Sequence, residues 1–248
     1  DIYSLFCNSC VNNESFEDWF ALNYPDQAEF AAIYDDILRE FEETKVQFNY
    51  ADFNDLLIKM RNELKNGSAI CFDEILVDEY QDTNSLQGSL IDAFNTKSLF
   101  CVGDFDQSIY AFNGANIEII GSFKERYIGA NIYSLNINYR SSAKILALAN
   151  KVIANNPRLY PKSLEVSREG EFKSPVLLVY DELFVQYSAV AEIIAKSRYH
   201  KSDIAIIFRN NSSADGLEVA LKEQGISCKR KGGVSFFEAR EIKALIDL

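Results

Sequence analysis

The chain is poor in the residues that build metal and disulfide scaffolds. It has one histidine, His200, and five scattered cysteines, Cys7, Cys10, Cys71, Cys101 and Cys228. A structural zinc needs four such ligands in set spacings. Cys7-x-x-Cys10 has no second pair and reads as two residues on a helix. An odd, dispersed cysteine set is no disulfide framework. Cys71 and Cys101 lie in or beside apolar runs, as buried thiols do, and the reading is a reducing, cytoplasmic compartment. No apolar run is long enough to cross a bilayer, so no membrane partner is expected. The opening Asp1-Ile2-Tyr3-Ser4 has neither an initiator Met nor a signal stretch, and reads as excised from something longer. Positive charge is also scarce: 25 Lys and Arg face 37 Asp and Glu, a net charge of −12. That excludes a surface that holds nucleic acid by its overall field, so any such contact must run along a local track. The acid is densest in Asp35-Asp36 and Glu40 to Glu43, expected to be the solvated face of a helix.

What is present is an ordinary globular composition, 48% hydrophobic and 25% charged in 248 residues, enough for one large or two small domains. Residues 15–43 carry aromatic and aliphatic side chains at helical spacing, interrupted at Pro25, and the stripe reads as core. A second helix is predicted over 53–64, with Phe53, Leu56, Leu57 and Met60 on one face. The pattern then changes to short apolar runs, Ile75-Leu76-Val77 and Leu99 to Val102, separated by a helix over 85–94. Such alternation predicts a parallel sheet buried on both faces. Further strands are expected at 131–135, 176–180 and 204–208. Helices are expected at 142–155, 182–197, 213–224 and from 238 to the end, and 162–174 reads as a loop.

Both early strands run into acids, Asp78-Glu79 and Gly103-Asp104. In open α/β sheets, ligands bind beyond the carboxyl ends of the strands. An apolar strand ending in Asp-Glu is also the form of a nucleotide-site strand whose Asp serves Mg²⁺, a cation that takes hard oxygen ligands, while the adjacent Glu can deprotonate a water. Alone this signal is weak, because turns after strands are often acidic.

The surrounding residues sharpen it. Residues 75–84 read ILVDEYQDTN, 102–115 read VGDFDQSIYAFNGA, and 135–142 read LNINYRSS. In order and spacing these resemble motifs II, III and IV of UvrD/Rep-like superfamily 1 DNA helicases. FNDLL at 53–57, IIFRNN at 206–211 and GGVSFFEAREIK at 232–243 are similar to further family segments. The resemblance implies an α/β fold of partial P-loop NTPase (RecA-like) lobes with a helical accessory segment at the N-terminus. Residues 1–65 would end the accessory domain and return to the first lobe, 66–128 would be the later half of that lobe, and 129–248 would begin the second. It implies ATP and Mg²⁺ as cofactors, single-stranded DNA and single/double-strand junctions as partners, and 3′-to-5′ movement driven by ATP hydrolysis, with DNA repair as one setting. Asp78 would hold the metal, Glu79 would be the catalytic base, and Gln107 would sense the γ-phosphate. Tyr139 would stack on adenine, and Arg140 would be the arginine finger. Phe112 would stack on a DNA base, with Tyr110 nearby and Asn113 also on the DNA-binding side, and Arg209 and Asn211 would touch the DNA backbone.

From pattern alone, Tyr110 and Phe112 read equally as core aromatics, Arg140 as a surface ion-pair partner and Gln107 as a turn cap. The chain also departs from the family. Asn113 stands where an Arg is usual, and Ala214-Asp215 where a Ser-Arg pair is usual; both changes remove positive charge from the DNA side. No G-x-x-x-x-G-K-[ST] loop occurs. The N- and C-terminal parts of the same helicase would supply that loop and the later motifs. Rival readings are a subunit of a helicase–nuclease complex, a non-catalytic DNA-binding platform, and a metal nuclease built on Asp78, Glu79, Asp82 and Asp104.

Overall fold

The computed structural model describes residues 2–9, 14–156, 162, 164–168, 170, 172–232, 236 and 242–243. It is a mixed helix and strand chain in two compact units, Asp1–Lys173 and Ser174–Leu248. The expected boundary near Ile128 falls inside the first unit. Among the described residues no helix is long and apolar enough to cross a membrane.

The first unit opens with four helices: α1 (Ile2–Ser9), α2 (Phe16–Asn23), α3 (Ala31–Phe48) and α4 (Phe53–Lys65). Local chemistry sets their ends. The Ser15 hydroxyl accepts from the Asp18 amide at the start of α2, Pro25 heads a 3-10 turn over Pro25–Phe30, and Asn49 closes α3 in the left-handed region at φ 54°. Asp52 and Asp55 form a reciprocal capping box on α4. The predicted aromatic stripe is core only in its first half. Phe16, Trp19 and Phe20 are buried with Ala31, whereas Ile33, Ile37 and Phe41 on α3 are exposed. Phe53 and Leu56 on α4 are exposed as well, while Leu64 is buried.

Then come β1 (Phe72–Val77), α5 (Ser85–Ala93), β2 (Thr96–Cys101), α6 (Ile117–Gly121) and α7 (Phe123–Arg126). β1 and β2 pair in parallel with Phe72 opposite Thr96 and Val77 opposite Cys101. The expected burial on both faces is not met, since Phe72, Leu76 and Phe100 are exposed. Cys71 is exposed, against expectation, because it precedes the ladder; Cys101, inside it, is half-buried, and burial pushes its thiol up to about 11.

The unit ends with β3 (Ile137–Asn138), α8 (Ala143–Ile153) and β4 (Glu165–Val166). β3 and β4 are parallel partners, so the stretch read as a loop holds a strand, while the strand expected at 131–135 does not form. The second unit holds α9 (Leu183–Ala195) and α10 (Asn211–Glu223), packed through Ala191, Ile194, Ala220 and Leu221. Gly216 on α10 lies against the Tyr187 ring, where any Cβ would collide. The runs at 176–180 and 204–208 are not strands. An apolar run becomes a strand only where neighbouring backbone satisfies its N–H and C=O groups, and these runs have no ladder partner among the described residues. The helix expected from 238 onward lies outside the described residues except at 242–243.

The acidic face of α3 is not wholly solvated. Glu42 turns toward Lys45, which is buried and also reaches Asp52 Oδ2 at 3.1 Å, Asp55 Oδ2 at 3.0 Å and the Tyr3 hydroxyl at 2.8 Å. One ammonium thus ties α1, α3 and the α4 cap together. Burial alone would lower its pKa, but bonds to Glu42, Tyr3, Asp55 and Asp52 outweigh it and hold the ammonium above the ordinary lysine value. Burial likewise works to raise the Asp55 carboxyl, yet the Asp52 amide and Lys45 hold it below the aspartate norm. A depressed carboxyl contributes stability above its unfolded pKa and loses it as pH falls through the folded value. Lys45→Met should therefore cost about 3 kcal/mol at pH 7, because it strands three carboxylates. The difference from the parent chain should shrink as pH falls below the ordinary aspartate range. Urea denaturation at neutral and acid pH measures both.

Candidate active site

The parallel ladder continues past the strands. The Val102 amide donates to Val77 O at 2.8 Å, and the Tyr80 amide to Val102 O at 2.9 Å. The two acid-bearing turns therefore leave the sheet side by side. After β1 the backbone bends at Glu79, a non-glycine residue with φ 49° and ψ 44°, into a 3-10 turn over Tyr80–Asp82. A left-handed glutamate is uncommon and requires support from its surroundings. The Asp78 carboxylate accepts from the Glu79 amide at 2.9 Å, and the next two side chains, Tyr80 and Gln81, are almost wholly buried. Tyr80 is anchored by the Arg126 guanidinium, 3.1 Å from its hydroxyl, and burial raises its phenol pKa. Asn84 then caps α5 in a second reciprocal box with Gln87.

After β2, Asp104 caps a 3-10 turn over Phe105–Gln107 by accepting from the Asp106 amide at 3.1 Å. Its other oxygen accepts from Gln107 Nε2 at 2.7 Å and from Lys162. Burial works to raise the Asp104 carboxyl, but Lys162 and Gln107 overcome it and hold it below the usual range. Gln107 is exposed, and its side-chain amide donates to the acid that caps its own turn. Tyr110 and Phe112 follow at 44% and 72% exposure, with ring centroids 5.6 Å apart, so neither ring is buried within this chain. The loop is fastened to the first turn by a bridge between Asn84 and Ala115 and by the Asn116 amide on Thr83 O at 3.0 Å. Asn113 is exposed, and its carbonyl accepts from Asn8 of α1 at 3.3 Å.

Sequence reasoning passed over Gln81. Its Nε2 donates to Glu79 Oε2 at 2.8 Å, and its Oε1 accepts from the Asp104 amide at 2.9 Å. With the Gln107–Asp104 bond, a continuous chain of hydrogen bonds runs from Glu79 to Gln107. Gln81 lies inside the 75–84 segment already singled out, but only its burial and partners show what it joins.

Asp78, Glu79 and Asp82 line an open hollow of about 410 Å³ with Val77, Gln87, Leu90, Ile91 and Phe94. Asp82 Oδ1 is buried there without a hydrogen-bond partner. The donors are hard oxygens, which fit magnesium. No three of them converge into a ligand cluster among the described residues.

Tyr139 is 69% exposed, and Arg140 is exposed with no ion pair among the described residues. Its carbonyl accepts from Arg168 at 2.9 Å. The structure does not join either residue to Asp78, Glu79 or Gln107 by a hydrogen bond. In the second unit Arg209 and Asn211 are exposed at the start of α10. Asp215, the acid in place of an expected base, pairs with Arg230 at 2.7 Å, and Arg230 also donates to Asn211 O at 2.7 Å.

The sequence profile of the UvrD/REP helicase N-terminal domain matches residues 4–128, and that of the UvrD-like helicase C-terminal domain matches residues 133–248. The chain belongs to the UvrD/Rep helicase family. It is 37% identical to a probable DNA helicase II homolog of Mycoplasma capricolum over 86% of this chain and 30% of that protein. It is 34% identical to one of Rickettsia conorii over 85% of this chain and 34% of the other. With an ATP-dependent DNA helicase PcrA of Staphylococcus epidermidis it shares 39% identity over 71% of this chain and 25% of that one. It thus spans about a third or less of these helicases.

Gly103 tests the packing of the two turns. A Cβ there would lie 2.9 Å from Gln81 Oε1, 3.1 Å from Ile120 Cδ1 and 3.2 Å from the Gln81 backbone nitrogen. Gly103→Ala should lower stability by about 2 kcal/mol through overpacking. A thermal melt of the 248-residue chain reads it.

Proposed function

We propose that this chain supplies part of the ATP site and part of the DNA track of a 3′-to-5′ DNA helicase that couples ATP hydrolysis to movement along single-stranded DNA. The observation that carries this reading is the pair of adjoining turns, with Glu79 linked through Gln81 and Asp104 to Gln107, in a member of the UvrD/Rep family. We assign 1–65 to the accessory domain and its return, 66–128 to the first RecA-like lobe and 129–248 to the start of the second. By itself the chain is assigned no turnover, because it has no Gly-rich loop to cradle the β- and γ-phosphates.

Within that reading each residue has a task set by its chemistry. Magnesium, when bound, neutralises phosphate charge, and Asp78 is the residue that would hold it. Glu79 orients a water and takes its proton. Gln107 contacts the γ-phosphate and that water, which requires it to leave Asp104 or share it. Tyr139 offers an exposed ring to adenine, and Arg140 a planar cation to charge developing on the γ-phosphate. Tyr110 and Phe112 present faces on which any base stacks, as a motor indifferent to sequence requires. Asn113, Arg209 and Asn211 offer polar contacts to DNA. Junctions between single and double strands are the expected substrate.

The experiment uses the complete helicase that contains this chain. Glu79→Gln should keep ATP affinity within about twofold and reduce kcat at least about a hundredfold, the range of general-base catalysis; a normal kcat would remove Glu79 from the reaction. Phe112→Ala should weaken single-strand binding by roughly 1–3 kcal/mol without unfolding the protein, measured by fluorescence anisotropy and a melt.

A further inference from the structure

We infer that Gln81 is a positioning residue that holds the Glu79 carboxylate in register with the Asp104–Gln107 turn. The inference deepens the proposed ATPase reading and rests on Glu79 being its base.

Gln81 is 2% exposed, yet both ends of its carboxamide are used. A backbone N–H can only donate, so the Asp104 amide at 2.9 Å must face the side-chain oxygen. That fixes the orientation of the group and leaves its NH₂ to face Glu79 Oε2 at 2.8 Å. A second contact, at 3.5 Å to Asp82 Oδ2, lies at the edge of hydrogen-bonding range. The Gln81 carbonyl in turn accepts from Ser108 Oγ at 3.3 Å, one residue beyond Gln107. The bridge needs room, and Gly103 provides it, since a Cβ there would stand 2.9 Å from Gln81 Oε1.

Glutamine suits this position for a chemical reason. The Glu79 side chain is exposed at a left-handed backbone position and would otherwise sample several rotamers. A neutral donor fixes one carboxylate oxygen without supplying a countercharge that would hold it as an ion pair. The second oxygen takes no hydrogen bond among the described residues, and Glu79 lines the hollow with Asp78 and Asp82. Because the same amide grips the Asp104 backbone, any shift of the second turn, which carries Gln107, is passed to Glu79 through two hydrogen bonds. A residue that merely filled space would not need a donor on one side and an acceptor on the other.

The test compares two variants in the complete helicase. Gln81→Glu keeps an oxygen for the Asp104 amide but turns a repelling oxygen toward Glu79. Gln81→Ala removes both contacts. For Gln81→Glu we expect kcat to fall at least about tenfold, the scale of a lost hydrogen bond to a charged group. The KM for ATP and the affinity for a fluorescent ATP analogue should stay within about twofold. Hydrogen exchange at the Asp104 amide should be unchanged in Gln81→Glu and roughly tenfold faster in Gln81→Ala. Should Gln81→Glu fail to fold, Gln81→Met, similar in length and without either bond, carries the same comparison of kcat with KM. The inference is overturned if a folded Gln81→Glu enzyme keeps the parent kcat, if its kcat and ATP affinity fall together, or if both variants speed Asp104 exchange equally. Glu79→Gln run alongside separates the causes. If it is inactive while Gln81→Glu is normal, only the positioning role is lost. If it is active, the base assignment fails and takes this inference with it.

Discussion

The parallel pairing of β1 with β2, carried one step past the strand ends by the Val102 and Tyr80 amides, is the constraint on which the rest of the site depends. Parallel strands point their carboxyl ends the same way, so whatever follows each strand emerges on one edge. Here those followers are two acidic turns about twenty-five residues apart in sequence. Had the strands paired in antiparallel fashion, Glu79 and Asp104 would sit at opposite ends of the sheet, and no single amide could touch both. The left-handed bend at Glu79, the burial of Tyr80 and Gln81, and the bare Cα of Gly103 are consequences of packing two such turns against one another.

Charge is organised by a few cations placed where acids converge. With a net charge of −12, the chain would be expected to repel itself wherever carboxylates gather. Lys45 meets Glu42, Asp52 and Asp55; Lys162 meets Asp104 and Asp106; Arg230 meets Asp215. Lys162 and Arg230 meet acids distant from them in sequence, while Lys45 joins an acid of its own helix to two at the cap of α4. The acid at Asp215 is thus paired with a cation.

Helix positions were readable to within a few residues, and the break at Pro25 is where its backbone preference requires it. The caps Ser15, Asp52 and Asn84 emerge only in the structure, and α3 runs past the expected end at residue 43 to Phe48, closed by the left-handed Asn49. The strands were readable only where a partner exists. Ile75 to Val77 and Leu99 to Cys101 found one another, whereas equally apolar runs at 131–135, 176–180 and 204–208 did not, and the two-residue pair of β3 with β4 carries too little pattern to foresee. Exposure followed the same rule. The stripe on α3 has helical spacing throughout, but spacing says which residues share a face, not whether another element covers it.

The sequence by itself determined the family, the order of the motifs and the residue types at the strand ends, because these are properties of short contiguous stretches. It also supplied Asp78, Glu79, Gln107, Tyr110 and Phe112 as candidates. Only the tertiary structure decided that Tyr110 and Phe112 stand in solvent, that Gln107 rests on Asp104, and that Gln81 joins the two turns. Burial and hydrogen-bond partnership depend on what the chain brings back from elsewhere, and no local window contains that distance.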